Sequence, residues 1–284
     1  MKQLLVLSGK GGTGKTSITA AFIHINNQKA IADCDVDAPN LHLVLNGIGE
    51  PKLTEHFGLE KAIIDSDRCV RCMLCEDHCR FDAIKNCQVN SILCEGCRVC
   101  TLVCPVSAIT MQECTNGNLI LYKNENKVFS TAKLQMGSGA SGKLVTAVKK
   151  QLTDEVDEAL AIIDGSPGIG CPVIASISGV HLVLIVAEPT ISGMHDLKRI
   201  IETSKNFNVQ CVVCINKFDI NQNMSEEIKS YCNKINIDVI GNIPYDKTVI
   251  KALDEGKNIM HYPESKAAKA IAIMWNMLYN NYLN

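Results

Sequence analysis

The chain has 284 residues, 46% hydrophobic and 20% charged, with a formal net charge of −2 at pH 7. This is globular material with room for one or two domains, and its near-neutral balance offers no strong field to nucleic acid or an anionic membrane. No apolar run approaches the roughly 20 residues of a membrane helix, and the opening KQLLVLS is too short for a signal peptide, so a cytoplasmic protein is expected. In that compartment thiols stay reduced, and fifteen cysteines point to metal ligation rather than to disulfides.

The first predicted strand is KQLLVLS (2–8), followed by a helix over 16–26. Between them, SGKGGTGKT fits GxxxxGK(S/T), with Gly9, Gly14, Lys15 and Thr16 at the fixed places. Gly9, Gly11, Gly12 and Gly14 let backbone N–H groups turn toward phosphate, with Lys10, Thr13 and Ser17 beside them, and the following helix adds its positive end. Lys15 is expected on the β- and γ-phosphates and the Thr16 hydroxyl on Mg²⁺. The second strand, KAIADCD (29–35), runs into DCDVDAPN. There Asp33 and Asp37 fit either Mg²⁺ ligation or the capping of a turn.

Beyond it the alternation of strand and helix breaks. Ten of the fifteen cysteines fall between Cys69 and Cys114, within an internal repeat. Shifted by 25 residues, Cys69, Cys72, Cys75, Cys79, Ala83 and Ile84 land on Cys94, Cys97, Cys100, Cys104, Ala108 and Ile109. Segment 116–142, polar and Gly-rich toward its end, reads as a loop or lid. ALAIID (159–164) is a buried strand ending in Asp164, and the carboxyl ends of parallel strands are where such sheets bind ligands. HLVLIVAE (181–188), VQCVVCI (209–215) and DVIGNIP (238–244) complete the strands, with helices over 193–206, 225–236 and 264–282. The expected class is α/β, a mostly parallel P-loop sheet with a small α+β unit inserted. Its expected parts are residues 1–63, the insert 64–115, and residues 116–284.

Three thiolates within seven residues can wrap three irons of a cube, while the fourth must come from elsewhere. Both runs have that Cys-x-x-Cys-x-x-Cys-x-x-x-Cys form and resemble two-cluster bacterial ferredoxins, where the fourth cysteine of each run serves the other cluster. The resemblance implies one 4Fe-4S cluster on Cys69, Cys72, Cys75 and Cys104, and a second on Cys94, Cys97, Cys100 and Cys79. Zinc also takes four thiolates, usually from two separated Cys-x-x-Cys pairs. Ferredoxins have proline after the fourth cysteine, as in Cys104-Pro105, whereas this chain has Arg80 after Cys79. Arg80 adds an N–H and a positive charge beside the second cluster. Cys87 and Cys114 are expected to be buried thiols. Cys211 and Cys214 sit three apart in one strand and face opposite sides, so core packing is expected of them. Cys171 is also read as a structural thiol. Ala267, Ile271, Met274, Trp275 and Leu278 form the core face of the last helix.

KGGTGKT resembles the deviant Walker A loop of the MinD, ParA, Mrp and nitrogenase-iron-protein ATPases. EPTISGMHDLK (188–198), GNIPYD (241–246) and the SGK within GSGASGK (137–143) extend that resemblance over nearly the whole chain. It implies that Lys10 reaches across a dimer interface to the partner's nucleotide, in a homodimer or a paralogous heterodimer. It makes Asp35 the switch aspartate, near water and Mg²⁺, and Asp164 the Walker B aspartate. Lys10, Lys15, Asp35 and Asp164 are thus the expected catalytic set. INKFD (215–219) resembles the base-reading loop, with Asn216, Lys217 and Asp219. The same residues fit the NKxD pattern of GTPases, which keeps guanine as the alternative to the ATP implied by the loop.

Three functions follow from a P-loop ATPase joined to a ferredoxin-like insert. ATP can gate electron transfer through the clusters to a redox partner, drive assembly or carriage of iron–sulfur cofactors to an acceptor protein, or run a positioning ATPase with structural clusters. No constellation for a small organic substrate is visible.

Overall fold

A computed structural model describes residues 1–284. The first half contains β1 (Lys2–Ser8), α1 (Lys15–Ile25), β2 (Ala30–Asp33), β3 (Pro51–Phe57), β4 (Lys61–Ile64), α2 (Leu74–Asp77), β5 (Ile84–Lys85), β6 (Gln88–Val89), α3 (Val99–Val103), β7 (Ile109–Gln112), β8 (Thr115–Lys123) and β9 (Val128–Leu134). The second half contains α4 (Ser141–Glu155), β10 (Leu160–Pro167), α5 (Cys171–Ile177), β11 (Leu182–Ala187), α6 (Ile191–Asn206), β12 (Gln210–Asn216), α7 (Gln222–Lys234), β13 (Val239–Ile243), α8 (Lys247–Asp254) and α9 (Lys266–Leu278).

Nine strands form one sheet in the order β13-β12-β11-β1-β10-β2-β9-β8-β3. Pairing is parallel from β13 to β9 and antiparallel across β9-β8-β3. The central strands are apolar on both sides because helices cover both faces. Leu5 and Leu7 enter a core of 30 buried residues with side chains of α4, α6 and α7. Leu4 and Val6 point the other way, into a second core of 29 residues with α1 and α9. Cys211 and Cys214 divide between these two cores, as alternation along a strand requires. The expected stripe on α9, from Ala267 to Leu278, lies in the second core.

The loop or lid expected over 116–142 is a correction. Most of it is the hairpin of β8 and β9, which extends the sheet, and only residues 135–140 remain irregular before α4. NLILY and VFSTA are β-forming stretches; the glycines between 137 and 142 drew the reading too far back.

Between β3 and β8 the chain leaves the sheet and builds a small unit of its own. There β4 pairs antiparallel with β7, β5 pairs with β6, and the core is Ala62, Cys75, Ala83, Ile84, Cys94 and Ile109. The boundary expected after residue 63 therefore falls inside β4. The 25-residue repeat persists in the backbone: positive φ recurs at Arg71 and Gly96, at Met73 and Arg98, and at Asp82 and Ser107. Hydrogen bonds recur as well: Cys69 N–H to Asp65 O and Cys94 N–H to Asn90 O are each 3.0 Å. Left-handed backbone is uncommon outside glycine, so its recurrence at matched positions marks two copies of one loop.

Candidate functional site

The loop from Gly9 to Gly14 leaves the carboxyl end of β1 and enters α1. Gly12 and Gly14 hold φ of 79° and 89°, conformations that favour glycine. Gly14 is fixed twice over, since a Cβ there would lie 2.4 Å from Asn216 Nδ2. Asn216, at the end of β12, donates from Nδ2 to Thr13 O at 2.7 Å. Lys217 donates to Gly12 O at 3.3 Å and pairs with Glu188 at 2.5 Å. These two residues clamp the loop from behind.

Lys15 is buried and pairs with Asp164 Oδ2 at 2.8 Å. Thr16 Oγ1 donates to the same oxygen at 2.7 Å, and Thr19 Oγ1 donates to Asp164 Oδ1 at 2.8 Å. Burial would lower the Lys15 ammonium, but Asp164, with Asp33 and Asp35 farther off, outweighs it and holds its pKa above the ordinary lysine value.

Asp33, left between metal ligation and turn capping, is a turn organiser. It is fully buried. Its Oδ1 accepts from Asp35 N–H at 3.0 Å, and its Oδ2 accepts from Asn40 and Leu41 N–H at 3.1 Å each. Burial, then repulsion from Asp164, pushes it up to about 7. Asp37 is exposed. Asp35 faces the loop across a cavity of about 380 Å³ lined also by Lys10, Gly11, Gly12, Thr13, Gly14, Lys15, Thr16 and Ser17. Burial first, with Asp164 adding to it, raises Asp35 to about 6 against the opposing pull of Lys15. Gly9 packs instead against Asp196. Lys10 is exposed, and its Nζ donates to Ser192 Oγ.

A second cavity of about 190 Å³ adjoins the loop at Gly12, Gly14 and Ser17. Asn216 and Lys217 line it together with Ile18, Pro244, Tyr245, Ile250 and Leu253. Asp219 is not part of that lining; its Oδ1 accepts the Tyr245 N–H at 2.7 Å. The apolar wall from the β13–α8 connection escaped residue-by-residue reading, although GNIPYD stood out as a stretch.

In the small unit the eight expected ligands form two groups. Cys69, Cys72, Cys75 and Cys104 line one cavity. Cys94, Cys97, Cys100 and Cys79 line the other. The fourth thiol of each group is held alike: Ala108 N–H donates to Cys104 Sγ and Ala83 N–H to Cys79 Sγ, both at 3.3 Å. No three Cys, His, Asp or Glu side chains converge closely enough to hold a single metal ion. Two expectations about neighbouring residues change. Cys87 is only half-buried and lines the first cavity, because the β5–β6 turn folds it inward. Cys114 is half-buried too and makes only a weak contact, at 3.7 Å, with Gln112 O. Arg80 is exposed. Cys171, read as structural, is exposed at the start of α5.

The second cavity of the small unit lies against the large sheet's connections. Lys61 is buried and donates to Cys94 O, and Arg98 pairs with Glu60. Gly137 packs on Ile92, and Gly139 on Glu95 and Leu59. Asn116 ties the junction: its carbonyl accepts from Gln135 N–H and Ser138 Oγ at 2.8 Å each, and His56 meets its side chain at 2.7 Å. At the far end of this strap a Cβ on Gly142 would lie 3.2 Å from Cys171 O, just past the loop that follows Asp164.

A glycine-rich loop at the end of a buried parallel strand, with a lysine, a hydroxyl and two carboxylates converging on it, defines a P-loop nucleotide-binding protein. Over residues 4–259 the chain matches the CbiA family, the CobQ/CobB/MinD/ParA nucleotide binding domain, and it belongs to that family. It is 35% identical to an uncharacterized protein of Methanocaldococcus jannaschii, over 97% of this chain and 96% of the relative. It is 24% identical to the iron-sulfur cluster carrier protein of Pyrococcus horikoshii, over 98% of this chain and 85% of that one. Among solved structures, the cell division ATPase MinD of Pyrococcus furiosus superposes with a TM-score of 0.58 at 19% identity, covering 98% of each chain. The fold is thus that of the MinD/ParA-type ATPases. No helix is long and apolar enough to cross a membrane.

Proposed function

We propose that the chain is an ATPase whose nucleotide state gates electron transfer through two 4Fe-4S clusters to a redox partner. The observation that carries this reading is the pair of cavities, each lined by the complete four-cysteine set of one cluster. Each set draws three cysteines from one run and the fourth from the other, as in two-cluster ferredoxins. Four thiolates around an iron–sulfur cube stand farther apart than around one ion, which suits thiols that converge on a cavity but not on a point. When bound, the clusters would supply one-electron carriers; the chain supplies the thiols, the N–H donors to Cys79 and Cys104, and the wall that limits water.

For the nucleotide, the loop N–H groups and Lys15 bind the phosphates. Thr16 and Asp35 would hold Mg²⁺, whose charge offsets that of the phosphates, with Asp164 accepting from the Thr16 hydroxyl. Asp35 also orients the attacking water. Lys10 is free to reach a partner's nucleotide because only Ser192 holds it. The apolar cavity at Tyr245 receives the base. Asp219 has one oxygen committed to Tyr245 N–H and does not line that cavity, which supports adenine over guanine. The strap 135–142 touches the second cluster site at one end and the residue after the Asp164 loop at the other, so nucleotide-driven movement has a physical route to that cluster.

Carriage of clusters to an acceptor protein is the second reading, favoured by the Pyrococcus relative's name. Anaerobically reconstituted protein should carry about eight irons per chain, hydrolyse ATP, and reduce an artificial acceptor faster while ATP turns over, keeping its iron throughout. Iron passing to an apo-acceptor in step with ATP would favour carriage. Stoichiometric zinc in place of iron would defeat both readings.

A further inference from the structure

The two cysteine cavities are not equivalent. The second is lined by four thiols, the first by five, because Cys87 joins Cys69, Cys72, Cys75 and Cys104. Its counterpart in the repeat, 25 residues on, is Gln112, which does not line the second cavity. The fifth thiol therefore arises outside the repeat.

Its position is unusual on local grounds as well. Asn86 and Cys87 form the two-residue turn between β5 and β6, with φ of 50° and 60°. A hairpin turn with both central φ positive favours glycine at its second place. The chain instead keeps a thiol there, half-buried, 3.8 Å from Met73 Sδ. It shares the lining of that cavity with all four expected ligands, Cys69, Cys72, Cys75 and Cys104.

A 4Fe-4S cube takes one thiolate on each of its four irons, so five thiols on one cavity leave one to spare. We propose that Cys87 is a reserve ligand of the first cluster site, able to replace Cys69 there, while the second site has a fixed ligand set. This rests on reading both cavities as 4Fe-4S sites. In the exchange Cys87 gives its proton to solvent and its sulfur forms a bond to iron. The bond from that iron to Cys69 breaks, and the released thiolate takes up a proton. No electron moves, and the net proton count is zero. The first site can thus loosen one ligand without losing an iron, as a site that passes or repairs its cluster requires.

The test starts from anaerobically reconstituted full-length protein with about eight irons; failure to reach that loading in wild type overturns both the underlying reading and this inference. With wild type loaded, Cys69→Ala and the closer-packed Cys69→Ser should each keep about eight irons and show no three-iron EPR signal. Cys69→Ala/Cys87→Ala should show that signal, or fall to about four irons. The matched change in the fixed site, Cys94→Ala, should do so alone. Iodoacetamide should modify Cys87 in the loaded wild type and spare it in loaded Cys69→Ser. Three-iron signal or lost iron in both Cys69 single variants, with nucleotide binding intact, overturns the inference alone. So does Cys87 already protected in the wild type, because it would then be a resident ligand.

Discussion

The large sheet and the small unit are held together by different means. The sheet and the helices on it form a core of 30 apolar or cysteine side chains on one face and 29 on the other. The small unit, from Lys61 to Gln112, has a core of only six, two of which are cysteines from the ligand sets. Units of that size usually draw on metals or disulfides to fold. The nucleotide site therefore sits on a scaffold with its own large cores, whereas the proposed cluster sites and the fold around them should stand or fall together.

Lys15→Ala should produce the largest change. It removes the buried ammonium proposed to meet the phosphates, and ATP binding should weaken by at least about 100-fold, near 3 kcal/mol, by calorimetry. Iron content should stay unchanged, since Lys15, at the start of α1, lines neither cysteine cavity. Lys10→Ala should leave affinity within about threefold, yet suppress turnover and nucleotide-dependent dimerisation.

The reverse damage comes next. Replacing Cys94 and Cys97 with alanine should leave the second cluster unbound and expose residues 61–112 to protease and hydrogen exchange. The sheet should stay protected and keep binding ATP. Equal loss of protection in both regions would mean that the small unit helps to hold the sheet, contrary to the division of cores.

The smallest effect concerns Arg80. The residue is exposed and makes no ion pair, so its charge is screened by water and salt. Arg80→Pro should lower the potential of the cluster held by Cys79, Cys94, Cys97 and Cys100 by less than about 1 kcal/mol, or roughly 40 mV for one electron. The other potential should not move in a redox titration.

The same contrast explains what the sequence makes legible. Strands buried on both faces write themselves as apolar runs, so β1, β2 and β10 to β13 stand out, and SGKGGTGKT names the phosphate loop by its spacing. The repeat in the small unit is legible in its cysteines and in the Ala-Ile pair that follows each run, whereas its matched left-handed residues differ in type and show only in the backbone. The edge of the sheet is not. β3 is exposed along nearly its whole length and has no apolar face to announce it, and β8 and β9 sit among polar residues and glycines. Tyr245 lines the nucleotide region only because the β13–α8 connection folds over Ser17 and Ile18, a tertiary approach no local pattern records. Cys87 is obscured for a related reason: having no partner in the repeat, it reads as a stray thiol until the turn at Asn86 carries it inward.

The proposed function requires nucleotide and cluster states to be coupled, through the strap between the Asp164 loop and the second cluster site. Coupling of this kind is reciprocal at equilibrium. The most direct measurement is ATP affinity of the fully loaded protein, oxidised and then reduced, under anaerobic conditions, beside the cluster potentials with and without a non-hydrolysable ATP analogue. The expected affinities differ by threefold or more, about 0.65 kcal/mol, with a matching shift of roughly 28 mV confined to the cluster on Cys79, Cys94, Cys97 and Cys100. Equal affinities and unmoved potentials would contradict it, leaving the clusters as cargo or staples on an ATPase that does not sense them.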